Sequence, residues 1–387
     1  MKKLLLIVLL ILAGCSSAEE KINTQAMEEI ERGRFTQAAL LLQEAVKLNP
    51  DYLEGMVNYR NVYPRAVDDT QSKIDLYNQN EDYVREASTY ENMLSLKKGL
   101  YTMDPIVHNK LGLSLNIPQY NEIEELKMDA GVSYYNAGNT FEGLKLDRYR
   151  RREKFFLYDR GQELYPRYRD IGERTARSLE EARVVAAFTE VTGDPSRKHQ
   201  IEREGIGRIK NRVLEDPKLS KITIFKDIPQ GELREALRGA GNLSEESLKD
   251  LNTVVKINID SFTYNPTRVT RDYYTRYWTE KYYVIENNVK VAKYRERSYT
   301  EIVFDKRNSS RIVLSYEMID LEDGRTIGSG VFEGNSGDRY RWSVIRGRAP
   351  AGVMSGVERE IKSGETIISE AIVEATDKLG RDIRNNI

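Results

Sequence analysis

The sequence is poor in the residues from which most catalytic and metal centres are built. One cysteine and two histidines occur in 387 residues, which rules out an internal disulfide and leaves no pair of thiols for a zinc or redox site. His108 follows the Asp104-Pro105 helix stop and His199 lies in SRKHQIERE; neither has a nucleophile elbow or a second ligand at metal spacing beside it. Glycines cluster at RGAGN and RGRAPAG without a Walker lysine or dinucleotide spacing. Among 61 carboxylates no acid pair stands out. These absences point away from an enzyme and away from any cofactor or metal. Charge of one sign is lacking too: 60 basic residues balance the 61 acidic ones, which gives the chain as a whole no pull toward nucleic acid. Beyond its first residues the chain has no apolar run long enough to span a bilayer, which takes about 20 residues as a helix.

What is present begins with MKKLLLIVLLILAGCSS. Lys2 and Lys3 precede an apolar run from Leu4 to Ala13 that is too short for a span and suits the core of a signal peptide. Leu12-Ala13-Gly14-Cys15 resembles the lipobox of bacterial lipoproteins. The resemblance implies that residues 1–14 are a cleaved signal peptide and that the Cys15 thiol carries a diacylglyceryl anchor. Ser16, in place of Asp, implies sorting to the outer membrane; the protein is expected to face the periplasm, with the extracellular side as the alternative. The alternative is an ordinary secretory peptide with an incidental cysteine. Residues 15–21 are polar and are expected to be a tether.

From 22 to 215 the texture is helical. Ala26, Gly33, Phe35, Ala38, Leu42, Ala45 and Pro50 resemble the spacing of a tetratricopeptide repeat: small residues where two helices touch, a glycine at the turn and a proline after the second helix. Leu41, Leu42, Ala45 and Leu48 are the expected buried stripe. Gly131, Tyr134 and Gly138 repeat part of the pattern, with a longer second helix before Pro166. EDYVREASTYENMLSLKKGLYTMDP reads as another helix of the array, and GERTARSLEEARVVAAFTEVTGDP continues the style to a stop at Asp194-Pro195. The expectation is an all-α solenoid that binds a protein partner along a groove or serves as a spacer. The basic run DRYRRREKFF reads as a solvated helix face.

After Pro217 the period changes. KITIF reads as a strand, with helices expected after Pro229 and from the N-cap Ser244; NTVVKINIDSFTYNP reads as a strand ended by Asn265-Pro266. TRDYYTRYWTEKYYVIE and VKVAKYRERSYTEIVFD are long Tyr- and Val-rich strands, expected to be antiparallel. A hairpin turns at Asp323-Gly324, and a helix from Glu365 to about Arg384 closes the chain. The expected class is therefore multidomain: an N-terminal all-α solenoid over 22–215 and a C-terminal α/β mixed-sheet domain with a terminal helix over 218–387.

The segments ITIFKDIPQGELREAL, LNTVVKINIDSF, YEMIDLEDGRTIGSG and ISEAIVEATDKLGRDI resemble, in order and pattern, the domain shared by the envelope-lipoprotein family of CsgG and LpoB. The resemblance implies a lipoprotein that assembles into or regulates an envelope machine, with no catalytic residue. VKVAKYRERSYTEIV mixes charges through both strand rows, unlike the apolar lipid-facing row of a pore strand.

The most suggestive surface is RDYYTRYWTEKYY. As a strand it sets Tyr273, Tyr277 and Tyr283 on one face with Arg271 and Lys281, and Tyr274, Trp278 and Tyr282 on the other. Those five residues are the candidate partner-binding set; a row packed into the core is the competing reading. The expected function is an anchored envelope adaptor or assembly factor with protein partners, a homo-oligomer among them and no nucleic acid. The alternatives are a subunit of a CsgG-type secretion channel and a glycan-binding lipoprotein.

Overall fold

The structure, a computed structural model, describes residues 17–111, 115–228, 233 and 250–387. Cys15 with its signal segment, Pro229 and Ser244 lie outside the described residues. The chain forms two units, divided between Ala182 and Arg183.

The first unit is helical. Helices α1 (Ala18–Glu31) and α2 (Phe35–Leu48) form a hairpin with Gly33 at its turn, and Ala26 and Ala38 are fully buried between them. α1 begins at Ala18, where the Glu20 carboxylate accepts the Ser17 amide at 3.0 Å, so the expected tether over 15–21 is shorter than its polarity suggested. The buried stripe of α2 runs through Ala38, Leu42, Ala45 and Val46, while Leu41 is half-buried and Leu48 exposed. A stripe stepping four, three and one residues from Ala38 turns Leu48 outward.

The array continues with α3 (Leu53–Gln79), α4 (Tyr83–Tyr101), α5 (Pro105–Leu111), α6 (Tyr120–Asn139), α7 (Arg148–Leu164) and α8 (Ile171–Ala182). α1 to α4 each pack on the next, α4 packs on α6, and α6, α7 and α8 follow in turn, the nearest-neighbour pattern of a solenoid. α6 and α7 approach closely because Gly138 has no side chain; a Cβ there would lie 2.6 Å from the Tyr158 ring. The basic run of α7 departs from the expected solvated face. Arg152 and Lys154 are buried, and the Lys154 ammonium sits 3.1 Å from Glu181 and 3.3 Å from Glu142. The carboxylates that make this burial tolerable come from outside the helix, Glu142 from the turn before it and Glu181 from α8, where the run alone does not reveal them.

The second unit starts earlier than expected. β1 (Val184–Phe188) is a strand with every residue buried, although 22–215 reads as helical. A short, continuously apolar run has neither period, and here it lies between two parallel strands. Asp194-Pro195 likewise starts a helix: the Asp194 carboxylate accepts the Ser196 amide at 2.8 Å, with proline in the first turn. After β2 (Thr192–Gly193) come α9 (Pro195–Gln200), a π-helical turn (Ile201–Gly205), α10 (Ile206–Leu214), α11 (Pro217–Ile222) and β3 (Thr223–Phe225).

Three long strands follow: β4 (Thr253–Glu286), β5 (Val289–Asp320) and β6 (Thr326–Gly347). The sheet order is β3-β1-β4-β5-β6, with β2 also on β4. β3, β1 and β4 are parallel, and β4, β5 and β6 form an antiparallel meander. Asn287 and Asn288, at φ of 52° and 61°, make the tight turn between β4 and β5. Asn265-Pro266 does not end its strand. The register slips between Asn265 and Arg268 and β4 continues, because a bulge accommodates a residue that cannot donate to the ladder.

Helix α12 (Gly364–Asn386) lies over one face of the meander. Ile368, Ile372, Leu379 and Ile383 meet Ile312, Leu314, Tyr316 and Met318. Gly334 allows the approach: a Cβ there would collide with the Ala371 carbonyl.

Candidate interaction surface

Beyond Arg268 the β4–β5 register runs without a slip to Glu286 opposite Val289. β6 accompanies β5 only as far as Gly347 opposite Tyr299. The outer part of the meander, from Tyr277 opposite Ser298 to the turn, is therefore a two-stranded ribbon roughly 30 Å long.

Alternation fixes its faces. Arg271, Tyr273, Tyr277, Lys281 and Tyr283 lie opposite Phe304, Ile302, Ser298, Tyr294 and Ala292. These even positions of β5 continue the row of Ile312 and Leu314 that α12 covers. The tyrosines thus extend the core face past the end of the covering helix, and they are 65%, 68% and 53% exposed where Ile312 is 0%. Exposure of that size excludes the core reading of the row. Ile285, Tyr294 and Val289 are exposed on the same outer part of the ribbon.

The five expected residues fall into separate groups. At the tip, Lys281 and Lys290 lie 5.5 Å and 4.6 Å from the centre of the Tyr283 ring, and Lys281 lies 6.0 Å from that of Tyr294. The Tyr283 hydroxyl raises the pKa of Lys281 above its ordinary value. Nearer the root, Arg271 lies over Phe304, which stacks on Trp342 at 4.9 Å; Trp342 stacks on Tyr340, and Arg359 caps that ring at 4.5 Å. Arg359 belongs to the irregular segment 348–363. This segment is tied down by Gly356 N–H to the Ser343 carbonyl at 2.8 Å, Tyr340 Oη to the Val357 carbonyl at 2.8 Å, and the Lys306–Glu358 pair at 3.0 Å.

The opposite face holds a feature the sequence did not signal. Glu280 is buried and accepts Arg295 Nε at 2.5 Å and Arg297 Nε at 3.0 Å, with Arg348 Nη2 at 2.7 Å. Arg295 and then Arg297 hold its pKa down at about 2. Trp278 Nε1 donates to the Arg348 carbonyl at 2.9 Å, and Arg295 lies over Tyr282. One carboxylate thus ties both strands of the ribbon to residue 348. The alternation Arg295-x-Arg297 was the only hint, and it has meaning only once the partner strand is in register.

Among the described residues the two edges of the ribbon, β4 and the part of β5 beyond Tyr299, pair with no further strand, whereas the outer edge of β6 is bonded by the 348–363 segment. β1 pairs with β4 up to Val255 and β2 up to Ile259, and beyond that β4 has only β5 as a neighbouring strand. Among the described residues no cluster of His, Cys, Asp and Glu has the arrangement to hold a metal ion, and no helix is long and apolar enough to cross a membrane. The sequence matches no protein-family model, and no curated protein is recognisably similar to it in sequence. The arrangement offers rigid aromatic area, cations and unpaired backbone, which are the elements of a docking surface.

Proposed function

We propose that the chain is a lipid-anchored adaptor or assembly factor of the cell envelope, held at the outer membrane by Cys15. In this reading the helical unit holds a protein partner and the sheet unit docks through its ribbon. The observation that carries it is the uncovered tyrosine row: an isolated two-stranded ribbon is marginal in water, and this one is bare where its own helix ends. Aromatic anchors beside Arg and Lys are typical of protein contact sites. The resemblance to the CsgG and LpoB family belongs to the same reading, since it concerns the unit that bears the ribbon.

The test replaces Tyr273, Tyr277 and Tyr283 by serine. Capture of envelope proteins, read by mass spectrometry, should be lost with the melting temperature unchanged; capture identical to the parent chain contradicts the reading. Cys15→Ala should abolish incorporation of labelled palmitate, and continued labelling contradicts the anchor.

The open edges favour one second reading, a ring of copies paired edge to edge as a secretion-channel subunit. Against it stand Lys, Arg and Glu on both ribbon faces. Detergent-extracted rings that conduct ions in bilayers would support the channel, and monomers or small oligomers the adaptor.

A further inference from the structure

The register brings three arginines into one row across three strands. Arg268 pairs with Arg307, and Arg307 pairs with Arg339. Facing residues on adjacent strands are about 4.5–5.5 Å apart and point to the same side, and like charges directly opposite one another are unfavourable. The next row on this face is Thr270, Asp305 and Arg341. Among the described residues of these two rows Asp305 is the one carboxylate, and it is taken by Arg339, whose Nε lies 3.0 Å from Oδ1. Arg268 and Arg307 are exposed and form no ion pair among the described residues.

On the root side of the row the surface is hollow. An open cavity of about 940 Å³ is lined by Pro266, Thr267, Ser309, Gly337 and the three arginines. Its shape has local causes. The register slip carries Pro266 and Thr267 out of the ladder. Gly337 leaves the floor bare, since a Cβ there would sit 2.8 Å from the Asn308 carbonyl. The carboxylate of Asp338 does not fill the space; its oxygens accept the Lys362 amide at 2.9 Å and the Arg339 amide at 2.8 Å.

We propose that this hollow is a binding site for a phosphate-bearing ligand, held by Arg268 and Arg307 with Arg339 at its side. A planar carboxylate satisfies one guanidinium fork, as Asp305 does for Arg339. A phosphate has oxygens in several directions and bridges two forks one strand spacing apart. The row is then a site whose repulsion is relieved by its occupant. A free phosphate ester and the phosphate of a lipid headgroup present the same chemistry to it. The inference does not depend on the tyrosine row, which lies farther out and on the other face.

The test uses the purified full chain and sodium pyrophosphate, with sodium chloride at matched ionic strength as control. Pyrophosphate should raise the melting temperature of the parent protein beyond the chloride control. R307Q should melt higher than the parent without anion, because the central like charge is gone, and should bind pyrophosphate at least tenfold more weakly by calorimetry. R268Q should also weaken binding, while R346Q, an exposed arginine outside the row, should leave it unchanged. A parent protein that responds equally to pyrophosphate and chloride overturns the proposal, as does R307Q or R268Q binding with parental affinity. Flotation with phosphatidylglycerol vesicles that is lost in R307Q and competed by pyrophosphate assigns the phosphate to a lipid. Pyrophosphate binding without flotation assigns it to a soluble ester.

Discussion

The root and the ribbon of the β4–β5–β6 meander are made by the same strands, yet different forces hold them. At the root, Ile312, Leu314 and Met318 are sealed under α12, and burying one such side chain contributes about 1.5–3 kcal/mol. Along the ribbon the same alternation continues with tyrosine in place of isoleucine and leucine, no described residue covers the tyrosines of the outer rows, and the ion cluster of Glu280 ties the strands together. A covered row specifies a fold; an uncovered aromatic row of the same period adds little stability and is available to something else.

The sharpest way to break the comparison is by deletion. A fragment of residues 218–387 lacks β1, the strand between β3 and β4, and should fail to fold, whereas 183–387 should give a cooperative melt. Replacing 277–298 by an Asn-Gly turn should leave that melt nearly in place, because the core lies elsewhere; loss of the transition would mean that the ribbon holds up the root. Next in size is Leu314→Ala, expected to cost about 3 kcal/mol in denaturant unfolding.

Smaller and local is Glu280→Gln, which should speed amide exchange over 277–298 without changing exchange at the root. The same carboxylate sets a pH window. Its pKa is depressed from 4.5 to about 2 in the folded chain, so its contribution is fully present above 4.5 and is lost as pH falls toward 2. Ribbon protection should fade across that window. Smallest is the triple Tyr273, Tyr277, Tyr283→Ser change, which at exposed positions should move stability by no more than roughly 0.5 kcal/mol per site.

How much of this was legible in the sequence follows the range of the signals. The Asp323-Gly324 turn, the two Tyr-rich strands and the amphipathic last helix rest on neighbours within a few residues, and they stand where their patterns put them. The two faces of RDYYTRYWTEKYY were legible too, since alternation is local. β1 was not, because an apolar run of five carries no period of its own. Nor was the passage of β4 through Pro266, which depends on a bulge. The Glu280 cluster and the arginine row join strands by register, and the burial of Lys154 depends on Glu142 and Glu181 from outside its helix. Such constellations come into being only when the chain is paired.

That the ribbon is an interface left bare by its own fold is tested most directly by hydrogen exchange, comparing the purified soluble chain with the same chain in native envelope extracts. Amides of 273–298 should exchange at least tenfold more slowly in the extract, with those of 312–319 unchanged. Equal exchange of the ribbon in both states would contradict the account.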